Sequence, residues 1–244
     1  MWRALRERVV DPLADLVFPR TCLVCSAGFD PLPDPHSICP ACRKEILADP
    51  FEACPRCAGS IGLYTATEEG CPRCRDDRFA FDRAFRLGPY AGVLRDVVLR
   101  MKDGSGEALA ETVGHLWAAA RAEEFRATGC TLVVPVPLYW RKRFARGYNP
   151  AAALARSVAA ELGLAYRNLL RRTRNTPRQT DQTPEHRRTN VKGAFATAPG
   201  QKAQDVRVLL VDDVLTSGST CSAAAEVLRV AGAAQVTVAV LAHR

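Results

Sequence analysis

The chain has 244 residues, of which 48% are apolar and 25% charged, and 34 Lys or Arg against 26 Asp or Glu give a formal net charge of +8. This is ordinary globular composition and excludes collagen-like, coiled-coil and wholly disordered classes. No uninterrupted apolar run approaches the ~18 residues of a membrane span, so an integral membrane protein is not expected.

Residues 1–20 are predicted to form a short amphipathic helix. Trp2, Leu5, Val9, Leu13, Leu16 and Val17 fall near helical spacing, and Arg3, Arg6, Glu7, Arg8, Asp11 and Asp15 interrupt any signal-peptide core. A cytoplasmic, reducing location is the expectation, in which the ten cysteines serve as metal ligands or free thiols rather than disulfides.

Residues 21–78 contain four Cys-x-x-Cys pairs: Cys22/Cys25, Cys39/Cys42, Cys54/Cys57 and Cys71/Cys74. The first two pairs shifted by 32 residues land on the last two, and each unit has thirteen residues between its pairs. Pro, Gly and Asp are frequent and periodicity is weak, so this segment needs staples to fold. A Cys-x-x-Cys turn presents two thiolates to one metal, and two such knuckles complete a tetrahedron. Two structural zinc ions in a double zinc ribbon are expected, with a short hairpin between knuckles. The repeat favours sequential pairing, Cys22, Cys25, Cys39 and Cys42 on one ion and Cys54, Cys57, Cys71 and Cys74 on the other; cross-braced pairing of alternate knuckles stays open. Four ligands per ion leave no open position for catalysis. Cys130 and Cys221 stand alone and read as small buried hydrophobes.

From residue 83 to 244 the pattern becomes α/β. Strands are predicted over 83–90, from Thr131, over Val206–Val211 and over Gln235–Leu241. Helices are predicted over Gly92–Met101, 106–127, 150–162 and 218–231, and residues 171–192 read as a loop. Strands alternating with helices imply a parallel sheet. The boundary between the two parts is placed near 75–82.

Charge is uneven along this second part. From Cys130 to Lys192 there are 13 Lys or Arg against 3 acids, so one segment carries +10 while the remainder nets −2. An anionic partner is suggested: phosphate, pyrophosphate or nucleic acid. Tyr139, Trp140, Phe144 and Tyr148 interleave with Arg141, Lys142, Arg143 and Arg146, the combination of stacking surfaces and cations that single-stranded nucleic acid uses; the alternative reading is that some of these rings pack on the core.

The most informative run follows four apolar residues, Val208–Val211. Asp212 and Asp213 end the predicted strand, and Thr216, Ser217, Gly218, Ser219 and Thr220 open onto a helix. In open α/β sheets ligands bind at the carboxyl ends of strands. Backbone N–H groups at a helix N-terminus cradle an anion. Carboxylates for sugar hydroxyls beside a phosphate cradle match a ribose 5-phosphate. A response-regulator receiver is excluded, because only 31 residues follow Asp213. A P-loop NTPase is excluded by the absence of G-x-x-x-x-G-K-[ST].

This run resembles the phosphoribosyl pyrophosphate (PRPP) signature of type I phosphoribosyltransferases. The resemblance implies that Asp212 and Asp213 hold the ribose hydroxyls, that Thr216 through Thr220 hold the 5-phosphate, and that magnesium accompanies PRPP. Together with the knuckles, the chain resembles the ComF family, associated with DNA uptake in natural transformation. The matching stretches are Tyr90 with Lys102, Val134 to Pro137, Arg141-x-Arg143-x-x-Arg146-Gly147-Tyr148-Asn149, Thr176-x-x-Gln179, Arg187-x-x-Asn190-Val191-x-Gly193-Ala194-Phe195, and the PRPP run. By this resemblance Val136 and Pro137 lie close to pyrophosphate. Residues 173–192 resemble a hood loop, with Arg141, Arg143, Arg146 and Arg187 as anion contacts. PRPP, single-stranded DNA and the DNA-uptake machinery are the implied partners. Three functions stay open: a PRPP-binding protein of DNA uptake, an active phosphoribosyltransferase moving ribose 5-phosphate to a nitrogen acceptor, and a structural adaptor that kept the fold and lost the chemistry.

Overall fold

The computed structural model describes residues 21–28, 37–175, 191 and 193–244. The predicted N-terminal helix, Thr176, Gln179, Arg187 and Asn190 lie outside them.

The cysteine-rich segment holds little regular structure. Helix α1 (Pro40–Leu47) starts inside the second knuckle, with Pro at its first turn where the missing N–H costs nothing. Strands β1 (Glu52–Ala53) and β2 (Ser60–Ile61) pair antiparallel. In the second unit this ladder closes around the knuckle Cys54–Cys57 and not between knuckles as expected, whereas residues 29–36 of the first unit lie outside the described residues. A bridge from Thr21 to Gly28 closes around Cys22–Cys25 in the same way. A turn that must aim two thiols at one point is most simply held by pairing its own flanks.

A five-stranded, all-parallel sheet follows. Its strands are β3 (Arg83–Pro89), β4 (Leu132–Pro135), β5 (Ala165–Tyr166), β8 (Arg207–Leu215) and β9 (Gln235–His243), in the order β3-β9-β8-β4-β5. Two further strands, β6 (Leu170–Arg172) and β7 (Phe195–Thr197), pair antiparallel beside it. They root the segment predicted as a loop over 171–192.

Five helices lie between β3 and β5. Helix α2 (Gly92–Arg100) follows the predicted apolar spacing. The single helix predicted over 106–127 is two, α3 (Glu107–Ala120) and α4 (Ala122–Ala127), broken at Arg121. The break turns Phe125 onto Trp117 and Phe85, with ring centroids 5.2 and 5.0 Å apart in edge-to-face geometry. Helix α5 (Trp140–Arg146) occupies the basic stretch, for which no element was expected, and Gly147 at φ 86° ends it. Helix α6 (Pro150–Leu162) matches its predicted span, closed by left-handed Gly163. Helix α7 (Ser219–Val230) connects β8 to β9.

Both sheet faces are covered, so the strands read as continuous apolar runs. Leu209 and Val211 of β8 face a core shared with Leu154 and Val158 of α6. Val208 and Leu210 face a second core shared with Ala224, Ala225 and Leu228 of α7. No helix of the described residues is long and apolar enough to cross a membrane.

Candidate functional site

The chain leaves β4 through α6 to β5 on one side, and leaves β8 through α7 to β9 on the other. The order of strands therefore reverses between β4 and β8, the place where open α/β sheets form a ligand crevice. Register deepens it. Strand β4 stops with Pro135 opposite Val211, whereas β8 continues to Leu215 paired only with β9. Val136 still donates its N–H to the Val211 carbonyl at 2.8 Å before Pro137 turns the chain away. Asp212 and Asp213 thus lie within the strand, not at its end as expected, and stand beside space that β4 has vacated.

A cavity of about 350 Å³ occupies that space, and Val136, Pro137, Asp212, Asp213, Thr216 and Thr220 are all on its wall. Lys102, Lys142 and Asn149, which the sequence singled out without a role at this crevice, also line it, as does Arg172, which the sequence missed. Lys102 Nζ lies 3.2 Å from Asp213 Oδ2. In the sequence Lys102 stood out only in the family match with Tyr90, with no role attached, as a basic residue just past an apolar helix. The Asp213 backbone N–H donates to Asp212 Oδ1 at 2.9 Å. Burial, and then the neighbouring Asp213 charge, push the Asp212 carboxyl up to about 8; Lys102 and Arg172 oppose the rise. A crevice that desolvates an acid pair and rims it with cations suits a ligand carrying both hydroxyls and anionic groups.

The phosphate-loop residues divide. Gly218 is the N-cap of α7 at φ 72°, and Ser217 and Ser219 hydroxyls lie 3.0 Å apart across it. The first N–H groups of α7 have no intrahelical acceptor, and the helix dipole favours an anion there. Thr216 and Thr220 face the main cavity, whereas Ser217 and Ser219 line a smaller one of about 200 Å³ behind the loop.

The basic segment also divides. Lys142 and Arg146 reach the main cavity, whereas Arg143 lines a neighbouring cavity of about 250 Å³ across the Pro137 turn. The Arg141 guanidinium lies over the Trp140 ring, 5.2 Å from its centroid. Trp140 and Phe144 are 60% and 88% exposed on one side of α5. Tyr148 corrects the expected row of stacking surfaces: it is 5% exposed and its hydroxyl donates to the Met101 carbonyl. That bond fixes the residue before Lys102. Asn149 donates from its side-chain amide to the Val136 carbonyl at 3.0 Å. The Gly147-Tyr148-Asn149 stretch is therefore a clamp under the site: a left-handed helix end, a strap to the Lys102 loop and a strap to the β4 turn.

The cysteines gather sequentially, as the repeat favoured, into Cys22/Cys25/Cys39/Cys42 and Cys54/Cys57/Cys71/Cys74. Thiol separations are 3.8 Å for Cys25–Cys39 and Cys54–Cys74, and 3.7 Å for Cys57–Cys71 and Cys71–Cys74. A tetrahedron with Zn–S bonds of ~2.3 Å has edges of about 3.8 Å, so both donor sets fit zinc.

Residues 145–244 match the model of the phosphoribosyl transferase domain, and residues 13–75 that of the double zinc ribbon domain. Competence protein F of Haemophilus influenzae is 29% identical over 208 residues, covering 83% of this chain and 89% of the relative. DNA utilization protein YhgH of Salmonella typhimurium is 30% identical over 216 residues, covering 82% and 94% respectively. YhgH of Escherichia coli K12 is 29% identical over 229 residues, covering 91% and 96%. Among solved structures, a glutamine PRPP amidotransferase from B. subtilis aligns at 21% identity over 45% of this chain with a TM-score of 0.29, a likeness that carries no argument. This chain spans 22% of that one.

Proposed function

Because this chain belongs to the ComF family, we propose that it binds PRPP with magnesium in the crevice between β4 and β8 and acts in the handling of incoming DNA. In this reading Asp212 and Asp213 take the ribose hydroxyls, residues 216–220 take the 5-phosphate, and the Val136–Pro137 turn with Lys102 and Arg146 meets the pyrophosphate. Magnesium, when bound with PRPP, neutralises pyrophosphate charge. The observation that carries this is the acid pair standing past the end of β4 with the N-terminus of α7 a few residues on. Arg187 of the hood segment is the remaining proposed anion contact. The names of the relatives support a role in competence and DNA use; the cytoplasm is the proposed location.

Single-stranded DNA is the proposed macromolecular partner. Helix α5 supports it: its apolar rings face solvent while two of its cations face the cavity. A strand stacking on Trp140 and Phe144 would place its phosphates beside Arg141 and Arg143. A second reading, transfer of ribose 5-phosphate to a nitrogen acceptor, is favoured by one observation: both the acid pair and the loop keep their places around an open cavity.

The test is calorimetric titration of PRPP and magnesium into the zinc-loaded protein and its Asp212→Asn/Asp213→Asn variant. Wild-type binding lost in the variant supports the site. No wild-type binding overturns it. Pyrophosphate release on adding ammonia or bases would support the transferase reading, and salt-dependent binding of a single strand weakened by Trp140→Ala supports the DNA reading.

A further inference from the structure

The loop that opens α7 is built against the cysteine-rich segment. Gly218 would need to be glycine for its backbone alone, at φ 72°. There is a second and independent reason. A Cβ at Gly218 would lie 2.7 Å from Cε1 of Phe79, so the Phe79 ring rests directly on the loop's backbone. Phe79 stacks in turn on Phe81, with centroids 4.6 Å apart and planes 12° from parallel. Phe81 is buried in the core beneath α7. Between them, the Ala80 N–H donates to Ser222 Oγ at 3.0 Å. Residues 79–81 are therefore strapped to the first turn of α7 at two points.

The other end of this strap belongs to the second cysteine cluster. Arg56 sits inside the knuckle Cys54–Cys57. Its guanidinium donates to the Glu69 carbonyl at 2.7 Å, to the Arg75 carbonyl at 3.1 Å and to the Asp77 carbonyl. One side chain thus ties the first knuckle to the backbone on both sides of the second knuckle and to the strap. The same guanidinium lies 5.9 Å from the Phe79 ring centroid. Gly70 permits this closeness: at φ 101°, a Cβ there would be 2.9 Å from Cys74 Sγ and 3.0 Å from Arg56 Cδ. Phe79 packs on both the second cysteine cluster and the core under α7. Phe79 and Asp77 share with Ser217, Ser219 and Ser222 the small cavity behind the loop.

We propose that Phe79 is a positioning residue for the phosphate loop, so that metal in the Cys54/Cys57/Cys71/Cys74 cluster and the anion at residues 216–220 support each other's binding. The nature of the anion rests on the function proposed above; the mechanical link does not. Backbone N–H cradles work only when held in place, and small displacements of positioning groups cost up to ~10²-fold in related settings. Coupling between binding sites is reciprocal, so a ligand at the loop must also tighten the second metal cluster.

The experiment combines calorimetry of PRPP with magnesium and amide hydrogen exchange, on zinc-loaded wild type, Phe79→Ala and the conservative Phe79→Tyr. Phe79→Ala is expected to keep two zinc ions, to weaken PRPP by about tenfold and to speed exchange at 217–222, with Phe79→Tyr near wild type. Added PRPP should increase protection in wild type at 71–77 and leave 22–25 and 39–42 unchanged. PRPP affinity within twofold of wild type, together with unchanged exchange at 217–222 in Phe79→Ala, overturns the proposal. If wild type binds no PRPP, the ligand assignment falls, and exchange at 217–222 alone decides the link: faster in Phe79→Ala supports it, unchanged refutes it.

Discussion

Cys22, Cys39 and Cys42 belong to the same continuous core as Leu94, Val97 and Val98 of α2 and Val158 of α6. Cys54, Cys57, Cys71 and Cys74 form a small cluster of their own, joined by Ile61 and Phe79. The two halves have the same cysteine spacing, yet one is part of the main core and the other is an outrigger braced at a few points. Those points are specific. Arg86 of β3 holds the Asp49 carboxylate with Nε–Oδ2 at 2.9 Å and Nη2–Oδ1 at 3.2 Å, and also donates to the Ala58 carbonyl at 3.1 Å. The Ala84 N–H of β3 donates to the Pro55 carbonyl at 3.1 Å, and Phe79 is a further brace. The difference teaches that a metal knuckle specifies its own turn and not its neighbours; residues outside the knuckle decide whether the metal supports the fold or a site.

The sharpest way to break the contrast is to remove one ligand from each half. Cys42→Ser is expected to lose the cooperative melting transition, a cost on the order of 5 kcal/mol or more, because the vacated cluster lies inside the main core. Cys71→Ser should lose one zinc and unravel locally, leaving a cooperative transition lowered by about 2 kcal/mol. Zinc stoichiometry and calorimetric melting read both; equal losses would erase the distinction.

Arg86→Met comes next. It leaves the Asp49 side chain, 8% exposed, without its ion-pair partner and, among the described residues, with only the Phe51 N–H donating to it. A cost of about 3–5 kcal/mol is expected in chemical denaturation, partly recovered by adding Asp49→Asn. A cost below ~1 kcal/mol would mean that the second half is held elsewhere.

Asp212→Asn separates site electrostatics from ribbon architecture. The folded state raises this carboxyl toward about 8 from an ordinary 3.8, so it favours the protonated form. The group is neutral in both states below about pH 4, and the folded state loses stability as pH rises from about 4 to about 8. The ligand-free variant should therefore match wild type near pH 4 and exceed it at pH 8.5 by on the order of 2 kcal/mol, roughly 4–8 °C in melting temperature. A difference independent of pH would refute this cause.

The smallest effect is expected on the exposed helix α5. Trp140→Ala and Phe144→Ala should each change stability by under about 0.5 kcal/mol, since α5 has no buried residue. A larger loss measured by denaturation would mean that the rings serve the fold and not a partner.

Much of the site was legible because its signals are local. A strand of Val and Leu, two acids and a Gly/Ser/Thr run at a helix start are neighbours in sequence, and a parallel sheet puts strand ends and helix starts together. Lys102 was not legible as a site residue, because it meets Asp213 only when the end of α2 and the end of β8 reach the same edge of the sheet. Whether Tyr148 stacks or packs was not legible, because an aromatic among arginines looks the same whether it faces water or straps a loop. The helix break at Arg121 carries no Gly or Pro; the packing of Phe125 on Trp117 makes it.

Thiol spacing alone marked eight cysteines as two metal sets and favoured their sequential order, while cross-bracing was settled only when the fold brought Cys22, Cys25, Cys39 and Cys42 together and Cys54, Cys57, Cys71 and Cys74 together. Apolar periodicity alone determined the alternation of strands and helices. Only the tertiary structure decided which cluster joins the core, where β4 stops beside β8, and that Phe79 lies on Gly218. Those outcomes depend on contacts between residues far apart in the chain, and local spacing carries no information about which distant surface will be there to meet them.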